Sequence, residues 1–185
     1  MADIMIETER LILRTVEDGD VALFNRHINT PTVMRHLGGP LEQGALEEKL
    51  ARTQAQYARE GFGFGFVIEK GTGEFIGQCG LKRVDAAGAR NTGDMEVGWL
   101  IREDRWRRGY AHEMARAAIA WAFTRFDAPL VVAMTQNDNL ESWRLMEKLG
   151  MQRREDLDFD DARLPPEKNP SILYSIDRAA WEKQQ

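Results

Sequence analysis

The hydrophobic and polar positions of the first 60 residues predict a strand followed by helices. Residues 10–16 are rich in aliphatic and β-branched side chains, a composition typical of a strand. Apolar residues at helical spacing follow Asp20, and a longer helical pattern covers residues 41–60. Between these two helices, a short helix is expected near residues 33–37, because two glycines and a proline stop it directly afterwards.

Three strand-like runs come next and predict a meander. Residues 63–70 and 75–84 are joined by Gly71-Thr-Gly-Glu74, a sequence typical of a hairpin turn. A loop at residues 85–93 leads to residues 95–101, which form the fourth predicted strand. We therefore expect the second, third and fourth predicted strands to lie side by side.

The second half of the chain alternates helices and strands. Residues 109–126 form the clearest helix, with apolar side chains on one broad face, and the continuous apolar run at residues 130–135 is suited to a buried strand. The remaining predicted elements are a helix that Asp138 and Glu141 open as a capping box and Gly150 ends, and strands at residues 151–159 and 172–176. This order predicts a mixed α/β sheet with helices packed on it, in a single domain of residues 1–185.

Composition and charge exclude several classes of function. The 185 residues are 43% hydrophobic and 30% charged, as in an ordinary globular protein, and the net charge of −5 argues against nucleic-acid binding by bulk electrostatics. There is no basic start and no long apolar run, so neither a signal peptide nor a membrane span is expected. The single Cys79, expected to be a buried structural thiol, excludes an internal disulfide and favours a reducing cytoplasm. The three histidines lack the spacing of metal ligands, so no metal is expected.

The segment between the fourth predicted strand and the long helix carries the clearest signal for a binding site. The first N–H groups of a helix have no internal partner and lie at the positive end of its dipole. Gly109 removes a side chain where a phosphate would approach the backbone, and Ala111 keeps a second position small. Arg105, Arg107 and Arg108 add positive charge. We expect an anion site here; the alternative is a solvated arginine loop before an ordinary helix.

Several sequence segments resemble those of one enzyme superfamily. Trp106-Arg-Arg-Gly-Tyr-Ala111 is similar to motif A of the GNAT acetyltransferases, Q/R-x-x-G-x-G/A, except that Trp replaces Q/R. Trp at this place, followed by Gly-Tyr-Ala-x-Glu, resembles the branch that contains the Rim-type ribosomal-protein N-terminal acetyltransferases. Further segments similar to that branch are Glu7-Thr-Glu-Arg-Leu-Ile-Leu-Arg14, Glu96-Val-Gly-Trp-Leu100, and Asn139-Leu-Glu-Ser142 followed by Glu147-Lys-Leu-Gly-Met151, where Met replaces the usual Phe. The resemblance covers nearly the whole chain, in the order and spacing of the family.

The resemblance implies a fold and a cofactor. The fold would be the GNAT acyl-CoA N-acyltransferase fold, with a mostly antiparallel central sheet that splays between the fourth and fifth predicted strands and helices on both faces. The cosubstrate would be acetyl-CoA, with its pyrophosphate on the N–H groups of residues 107–112, its pantetheine arm along residues 99–101, and Asn139 holding it from the next helix. The cofactor-binding residues implied in this way are Trp99, Leu100, Ile101, Trp106, Arg107, Arg108, Gly109, Tyr110, Ala111, His112 and Asn139.

The resemblance also suggests which groups carry out direct transfer to an amine. Glu96, at the start of the fourth predicted strand, is the expected base, with Asp94 as the second choice; the alternative for Glu96 is a surface carboxylate or a strand-end ion pair. The backbone N–H of Ile101 is expected to meet the oxyanion. Many GNAT enzymes have a tyrosine acid where this chain has Met146, and the Rim-type branch points instead to Ser142. The alternative is that Ser142 only hydrogen-bonds its own helix.

The acceptor and the assembly stay open at this point. An α-amine of a protein or peptide is the favoured acceptor; a small amine such as an aminoglycoside, a polyamine or an amino acid is the second option. A non-catalytic acyl-CoA-binding module is the third, since the usual tyrosine is absent. The acceptor pocket is expected to involve residues 29–41, 85–93 and 158–170. A homodimer is compatible with the sequence, and neither nucleic acid nor a membrane is an expected partner.

Overall fold

The computed structural model describes residues 2–184. Within them, eight strands form one mixed sheet in the order β1-β2-β3-β4-β5-β6-β8-β7. The strands are β1 (Ile4–Glu7), β2 (Leu11–Arg14), β3 (Phe64–Glu69), β4 (Phe75–Arg83), β5 (Met95–Ile101), β6 (Leu130–Gln136), β7 (Gln152–Arg153) and β8 (Ser171–Asp177). The α-helices are α1 (Asp20–His27), α2 (Gln43–Glu60), α3 (Tyr110–Arg125), α4 (Leu140–Lys148) and α5 (Arg178–Glu182). The predicted mixed α/β fold is confirmed, and none of the helices in the described range is long and apolar enough to cross a membrane.

Three local predictions are wrong. The short helix expected at residues 33–37 is a series of turns, because its backbone bonds do not form a helical series: the Met34 N–H bonds to the Thr30 carbonyl, and the Leu37 N–H bonds to the Met34 carbonyl. The strand expected at residues 151–159 is limited to β7, after which the chain turns through a 3-10 helix at Glu155–Leu157. Arg153 closes that turn through a 2.7 Å hydrogen bond from Nη1 to the Asp158 carboxylate.

The third wrong prediction is the capping box before α4. The N-cap is Asn139 rather than Asp138, and its side chain makes no capping hydrogen bond. The Asp138 carboxylate accepts a 2.5 Å hydrogen bond from Lys168 instead, while the Asn139 amide donates to the Thr135 hydroxyl at 2.8 Å. An ion pair to another loop has therefore replaced the local contact that the spacing predicted.

The chain forms two compact units, and the expectation of a single domain stays a prediction. The first unit comprises the residues up to Leu81 together with Gly98–Ala118. Its core lies between α1, α2 and one face of β3 and β4, where Phe66 and Phe75 stack with ring centroids 4.4 Å apart. On the opposite face, Leu13 pairs with Val67, and both side chains are fully buried. Both faces of this part of the sheet are therefore covered.

The second unit comprises Lys82–Val97 and Ile119–Gln185, of which Gln185 lies outside the described residues. Strand β6 pairs antiparallel with β8 along its whole length, and its buried centre confirms the prediction from the continuous apolar run. On its other side β6 pairs in parallel with β5, with Met95 opposite Val131 and Glu96 opposite Val132. Among the described residues this parallel pairing ends there, although β5 continues to Ile101.

Candidate active site

A turn with unusual backbone conformation connects β5 to α3. After a 3-10 helix at Glu103–Arg105, Arg107 has φ 60° and Gly109 has φ 81°, both in the left-handed region. The α-helix then begins at Tyr110, and the N–H of Glu113 bonds to the Gly109 carbonyl at 3.0 Å. Left-handed residues that interrupt a right-handed run are typical of the backbone nests that bind anions. The structure thus has, at Gly109, the kind of turn that the sequence predicted.

The N–H groups of this turn are not used by the rest of the described chain. None of the backbone N–H groups of residues 107–111 donates a hydrogen bond within residues 2–184. They lie at the positive end of a helix of 16 residues, and the side chains of Arg107 and Arg108 beside them are exposed. N–H groups without acceptors in the described range, a helix dipole and two exposed arginines on a protein of net charge −5 are the properties of a phosphate site.

Trp106, which stands where the GNAT motif has Gln or Arg, fixes the turn to the end of β5. Its indole Nε1 donates to the Ile101 carbonyl at 2.6 Å. Its ring packs against the apolar cluster of α1 and α2, and the Arg35 guanidinium lies 5.5 Å from the ring centroid. One of the main-chain groups that could have received the pantetheine arm is therefore occupied by the protein itself. Trp99 and Leu100, the other predicted contacts in β5, are half-buried.

Arg105 and Tyr110 are held by carboxylates of the β3–β4 hairpin, a feature that the sequence analysis missed. The Tyr110 hydroxyl donates to Glu69, which also accepts a 2.9 Å hydrogen bond from Thr72. These two bonds lower the pKa of Glu69, and the bond to Glu69 raises the pKa of Tyr110. Arg105 bonds to Glu74 and lies 3.7 Å from Glu69, so its charge is balanced within the protein. Tyr110 can therefore meet a cofactor through its N–H rather than its hydroxyl, as can the half-buried Ala111 and His112 on the same helical turn.

The connection between β1 and β2 contacts the same turn. Glu113, on the first turn of α3, accepts hydrogen bonds from the Thr8 hydroxyl at 2.7 Å, the Arg10 N–H at 3.0 Å and the Arg10 Nε at 2.7 Å. Arg10 Nη1 also donates to the Arg108 carbonyl at 3.0 Å. These residues lie within two of the motifs quoted for the family, which was the available signal, although no role was predicted for them.

In the second unit, Glu96 is buried and ion-paired. Only 6% of the residue is exposed, and Lys82 Nζ lies 3.2 Å from its Oε2 oxygen; Lys82 also donates to Asp85 at 2.9 Å. The contact with Oε2 is an ion pair without good hydrogen-bond angles, and this oxygen has no other partner among the described residues. Burial raises the pKa of Glu96, and Lys82 opposes that shift. Asp94, the second choice as base, is half-buried and accepts a 3.0 Å hydrogen bond from Asn91.

Two of the three segments expected to form the acceptor pocket contact each other in this unit. Ala86 and Phe159 belong to one buried cluster with Leu173. A side chain added at Gly88 would meet the backbone carbonyl of Asp160 at 3.3 Å. Residues 85–93 and 158–170 thus pack together, with Lys82 linking the first of them to Glu96.

Helix α4 carries the other predicted residues. Ser142 is half-buried, its N–H bonds to the Asn139 carbonyl at 3.1 Å, and its hydroxyl makes no hydrogen bond within the described range. Both roles considered for Ser142, proton donor or bonding to its own helix, therefore stay predictions. Met146, where many GNAT enzymes have their tyrosine, is 1% exposed and fills the core. The sulfur-containing side chain cannot replace a tyrosine as a proton donor.

Comparison with known proteins identifies the family. The protein-family model of the acetyltransferase (GNAT) domain matches residues 10–152, which is most of the chain. The chain is 33% identical over 145 residues to the uncharacterised protein YkkB of Bacillus subtilis, an alignment that covers 78% of this chain and 83% of YkkB. The chain belongs to the GNAT acetyltransferase family. It is an acetyltransferase with the mixed-sheet fold of that family.

Two solved structures show the same fold at low sequence identity. A putative ribosomal-protein-serine acetyltransferase from Vibrio cholerae is 20% identical with a TM-score of 0.75, covering 95% of this chain and 98% of that one. The spermidine N-acetyltransferase from Vibrio cholerae, solved with CoA and spermine, is 16% identical with a TM-score of 0.71, covering 95% of this chain and 99% of that one. At these identities the likeness concerns the fold and does not choose an acceptor.

Proposed function

We propose that this acetyltransferase uses acetyl-CoA and transfers the acetyl group directly to a primary amine, the α-amine of a protein or peptide N-terminus. The observation that carries the proposal is the turn at residues 107–111, whose N–H groups have no acceptor among the described residues. A phosphate group supplies the acceptors that these donors lack, at the positive end of α3. Since the contacts are mainly with the backbone, the side chains of Arg107 and Arg108 tune affinity rather than create it.

The pantetheine arm then runs along β5, with Asn139 contributing from the N-cap of α4. The Trp106 bond already uses the Ile101 carbonyl, so the arm meets the remaining main-chain groups of residues 99–101, and the Ile101 N–H is the donor for the oxyanion. The nucleotide of CoA binds at the turn, and the thioester lies further along the strand. This proposal keeps all the cofactor residues that the family motifs imply.

The transfer needs no covalent enzyme intermediate, because two bound substrates already have the advantage of proximity. The lone pair of the amine attacks the thioester carbonyl carbon, and the Ile101 N–H stabilises the oxyanion that forms. The amine nitrogen gives its proton to Glu96, the C–S bond breaks, and Ser142 passes a proton to the leaving CoA thiolate while solvent returns a proton to the Ser142 oxygen. Glu96 then releases its proton to solvent. The demand on Ser142 is small, since a thiol has a reference pKa of about 8.5.

Glu96 suits the role of base because it is buried with a raised pKa and keeps one oxygen without a hydrogen bond. A carboxylate is normally too weakly basic to take a proton from an ammonium group, and burial corrects this in part. The intact Glu96–Lys82 pair and the unused Ser142 hydroxyl also argue against a decayed, non-catalytic acyl-CoA-binding module.

The α-amine is favoured over a small amine because the sequence motifs resemble the Rim-type branch. An α-amine with a pKa of about 7.7–8.0 is roughly a tenth neutral at pH 7, so it needs little help from a base. The small-amine alternative has the spermidine enzyme as its precedent in fold. We further propose that the enzyme acts in the cytoplasm as a single domain and without a metal.

The cofactor assignment is tested with Gly109→Glu, which puts bulk and negative charge into the turn. We expect calorimetry to show that acetyl-CoA binding is lost. Gly19→Glu is the matched control, since Gly19 is also a left-handed glycine directly before a helix, has φ 94° and has open space around it. The control should bind acetyl-CoA as the wild type does. Equal affinity in wild type and Gly109→Glu would refute the assignment.

The acceptor is tested by measuring CoA release with N-terminal peptides and a panel of small amines. Turnover with peptides that is abolished by N-terminal blocking supports the proposed acceptor. Turnover with polyamines, aminoglycosides or amino acids alone supports the alternative. Binding of acetyl-CoA without turnover on any amine would indicate a binding module.

A further inference from the structure

Arg10 occupies a position from which its guanidinium reaches the proposed phosphate turn. Its Nε donates to Glu113 at 2.7 Å, and its Nη1 donates to the Arg108 carbonyl at 3.0 Å. The guanidinium carbon lies 4.7 Å from the centroid of the Tyr110 ring. The plane of the guanidinium is therefore fixed by two hydrogen bonds and one aromatic contact, although 44% of the side chain is exposed.

The third guanidinium nitrogen, Nη2, takes part in neither of these hydrogen bonds and lies beside Gly109. A Cβ built on Gly109 would be 3.4 Å from Arg10 Nη2, so this nitrogen borders the space that the missing side chain leaves open. Arg10 Nη2 donates no hydrogen bond within residues 2–184. A phosphate that approaches the Gly109 backbone would enter the same space and meet this N–H₂ group.

The negative charge of Glu113 gives a physical reason for a cation at position 10. Glu113 is a carboxylate on the first turn of α3, next to a turn proposed to receive phosphates, where uncompensated negative charge would repel them. Burial alone would raise its pKa, but the hydrogen bonds from Thr8 and Arg10 outweigh burial and lower it, so Glu113 is ionised at neutral pH. Arg10 neutralises this carboxylate and still presents a free edge to the turn, a geometry that only the fork of an arginine provides.

We propose that Arg10 is a further cofactor-binding residue, with Nη2 donating to the phosphates of acetyl-CoA, and that Glu113 and Thr8 are positioning residues that hold it there. The proposal rests on the proposed function. It gives a physical reason for the co-occurrence of two segments that lie far apart in sequence, Glu7–Arg14 and the turn before α3. The first segment supplies the guanidinium, and the second supplies its anchor and the backbone donors.

The test compares Arg10→Met with wild type for two acetyl donors, acetyl-CoA and S-acetylpantetheine, which lacks the phosphates. A lost hydrogen bond to a charged group lowers affinity by about 10- to 100-fold. We expect a fall of this size in calorimetric affinity for acetyl-CoA, a matching rise in its KM, and an unchanged kcat at saturation. Turnover of S-acetylpantetheine should not change. Arg26→Met, which removes an exposed arginine from α1, is the matched control.

The outcomes separate this inference from the proposed function. If the wild type does not bind acetyl-CoA, the proposed function fails. If the wild type binds and Arg10→Met binds equally well, only the role of Arg10 is refuted. An equal loss with both acetyl donors would show a structural role and would also refute direct phosphate contact.

A second variant covers the case in which Arg10→Met does not fold. Arg10→Lys keeps the charge but cannot bond Glu113, the Arg108 carbonyl and a phosphate at once, so we expect a loss of acetyl-CoA affinity with S-acetylpantetheine turnover retained. Unchanged acetyl-CoA affinity in a folded Arg10→Lys protein would overturn the proposal.

Discussion

Lys82 is expected to control the protonation of Glu96 and therefore the pH dependence of the reaction. Lys82→Met removes an ammonium group that lies 3.2 Å from Glu96 Oε2 while keeping most of the aliphatic side chain. Burial raises the pKa of Glu96, and the charge of Lys82 lowers it. Without Lys82 the pKa of Glu96 rises further, so at a given pH a smaller fraction of the enzyme has a carboxylate ready to accept a proton.

The size of the effect follows from the distance. Two unit charges 3.2 Å apart attract each other by about 5 kcal/mol at an effective dielectric constant of about 20. Water that enters beside the methionine, and relaxation of the site, recover much of this energy. If only about a quarter remains, the protonation equilibrium still shifts about tenfold, since about 1.4 kcal/mol corresponds to a factor of ten. We therefore expect kcat/KM for a lysine-like acceptor to fall about tenfold at pH values below the raised pKa of Glu96.

The sign of the pH dependence distinguishes this effect from general damage. Glu96 must be ionised to act as a base, so the loss in Lys82→Met should be largest at low pH and should disappear as the pH rises past the raised pKa of Glu96. The assay is CoA release between pH 6 and 9, with a lysine-like amine and an α-amine peptide as acceptors. Lys82→Arg keeps the charge and is the control. Superposable pH profiles for Lys82→Met and wild type would refute the reasoning, as would an equal loss at every pH.

Two further predictions concern a catalytic and a structural residue. Ser142→Ala should lower turnover by about 10- to 100-fold with acetyl-CoA affinity unchanged, at or below the usual range for acid–base contributions; full turnover would leave water as the proton donor. Cys79 is fully buried and burial raises its pKa to about 12, so a thiol reagent at pH 8 should label the native protein only as fast as it unfolds. Rapid labelling of the folded protein would contradict this.

The sequence predicted best those elements whose hydrophobic pattern extends over many consecutive residues. Helix α3 and strand β6 carry their patterns over 16 and 7 residues. The two elements that were missed, β1 and α5, have 4 and 5 residues, too few for a period to register. Strand β1 is also an edge strand, with Ile4 60% exposed, so it lacks the alternation of a half-buried strand. Helix α5 depends on the Asp177 carboxylate, which accepts a 2.7 Å hydrogen bond from the Ala180 N–H.

The features of the candidate site also divide into those that a local sequence signal predicts and those that depend on residues far apart in the sequence. The turn at Gly109 could be predicted because a glycine before a long amphipathic helix is a local signal. The contacts of Arg10 with Glu113 join residues 103 positions apart, and no spacing rule predicts such a pair. The burial of Glu96 depends on its neighbours in space, since Lys82 reaches it from the end of β4. Sequence reasoning could choose the residue types but not determine which charges meet.

Trp106 illustrates how a contact that the sequence does not predict changes the expected recognition of the cofactor. The family motif places a polar Gln or Arg at this position, and the sequence suggested that Trp106 remains a cofactor contact. In the structure its indole N–H bonds to the Ile101 carbonyl, and its ring packs on the core, so its polar group is not free for a phosphate. A motif position that elsewhere carries a polar side chain here anchors the turn to β5. Arg10, whose Nη2 lies beside Gly109 and donates no hydrogen bond within residues 2–184, is placed to supply a polar contact that Trp106 does not.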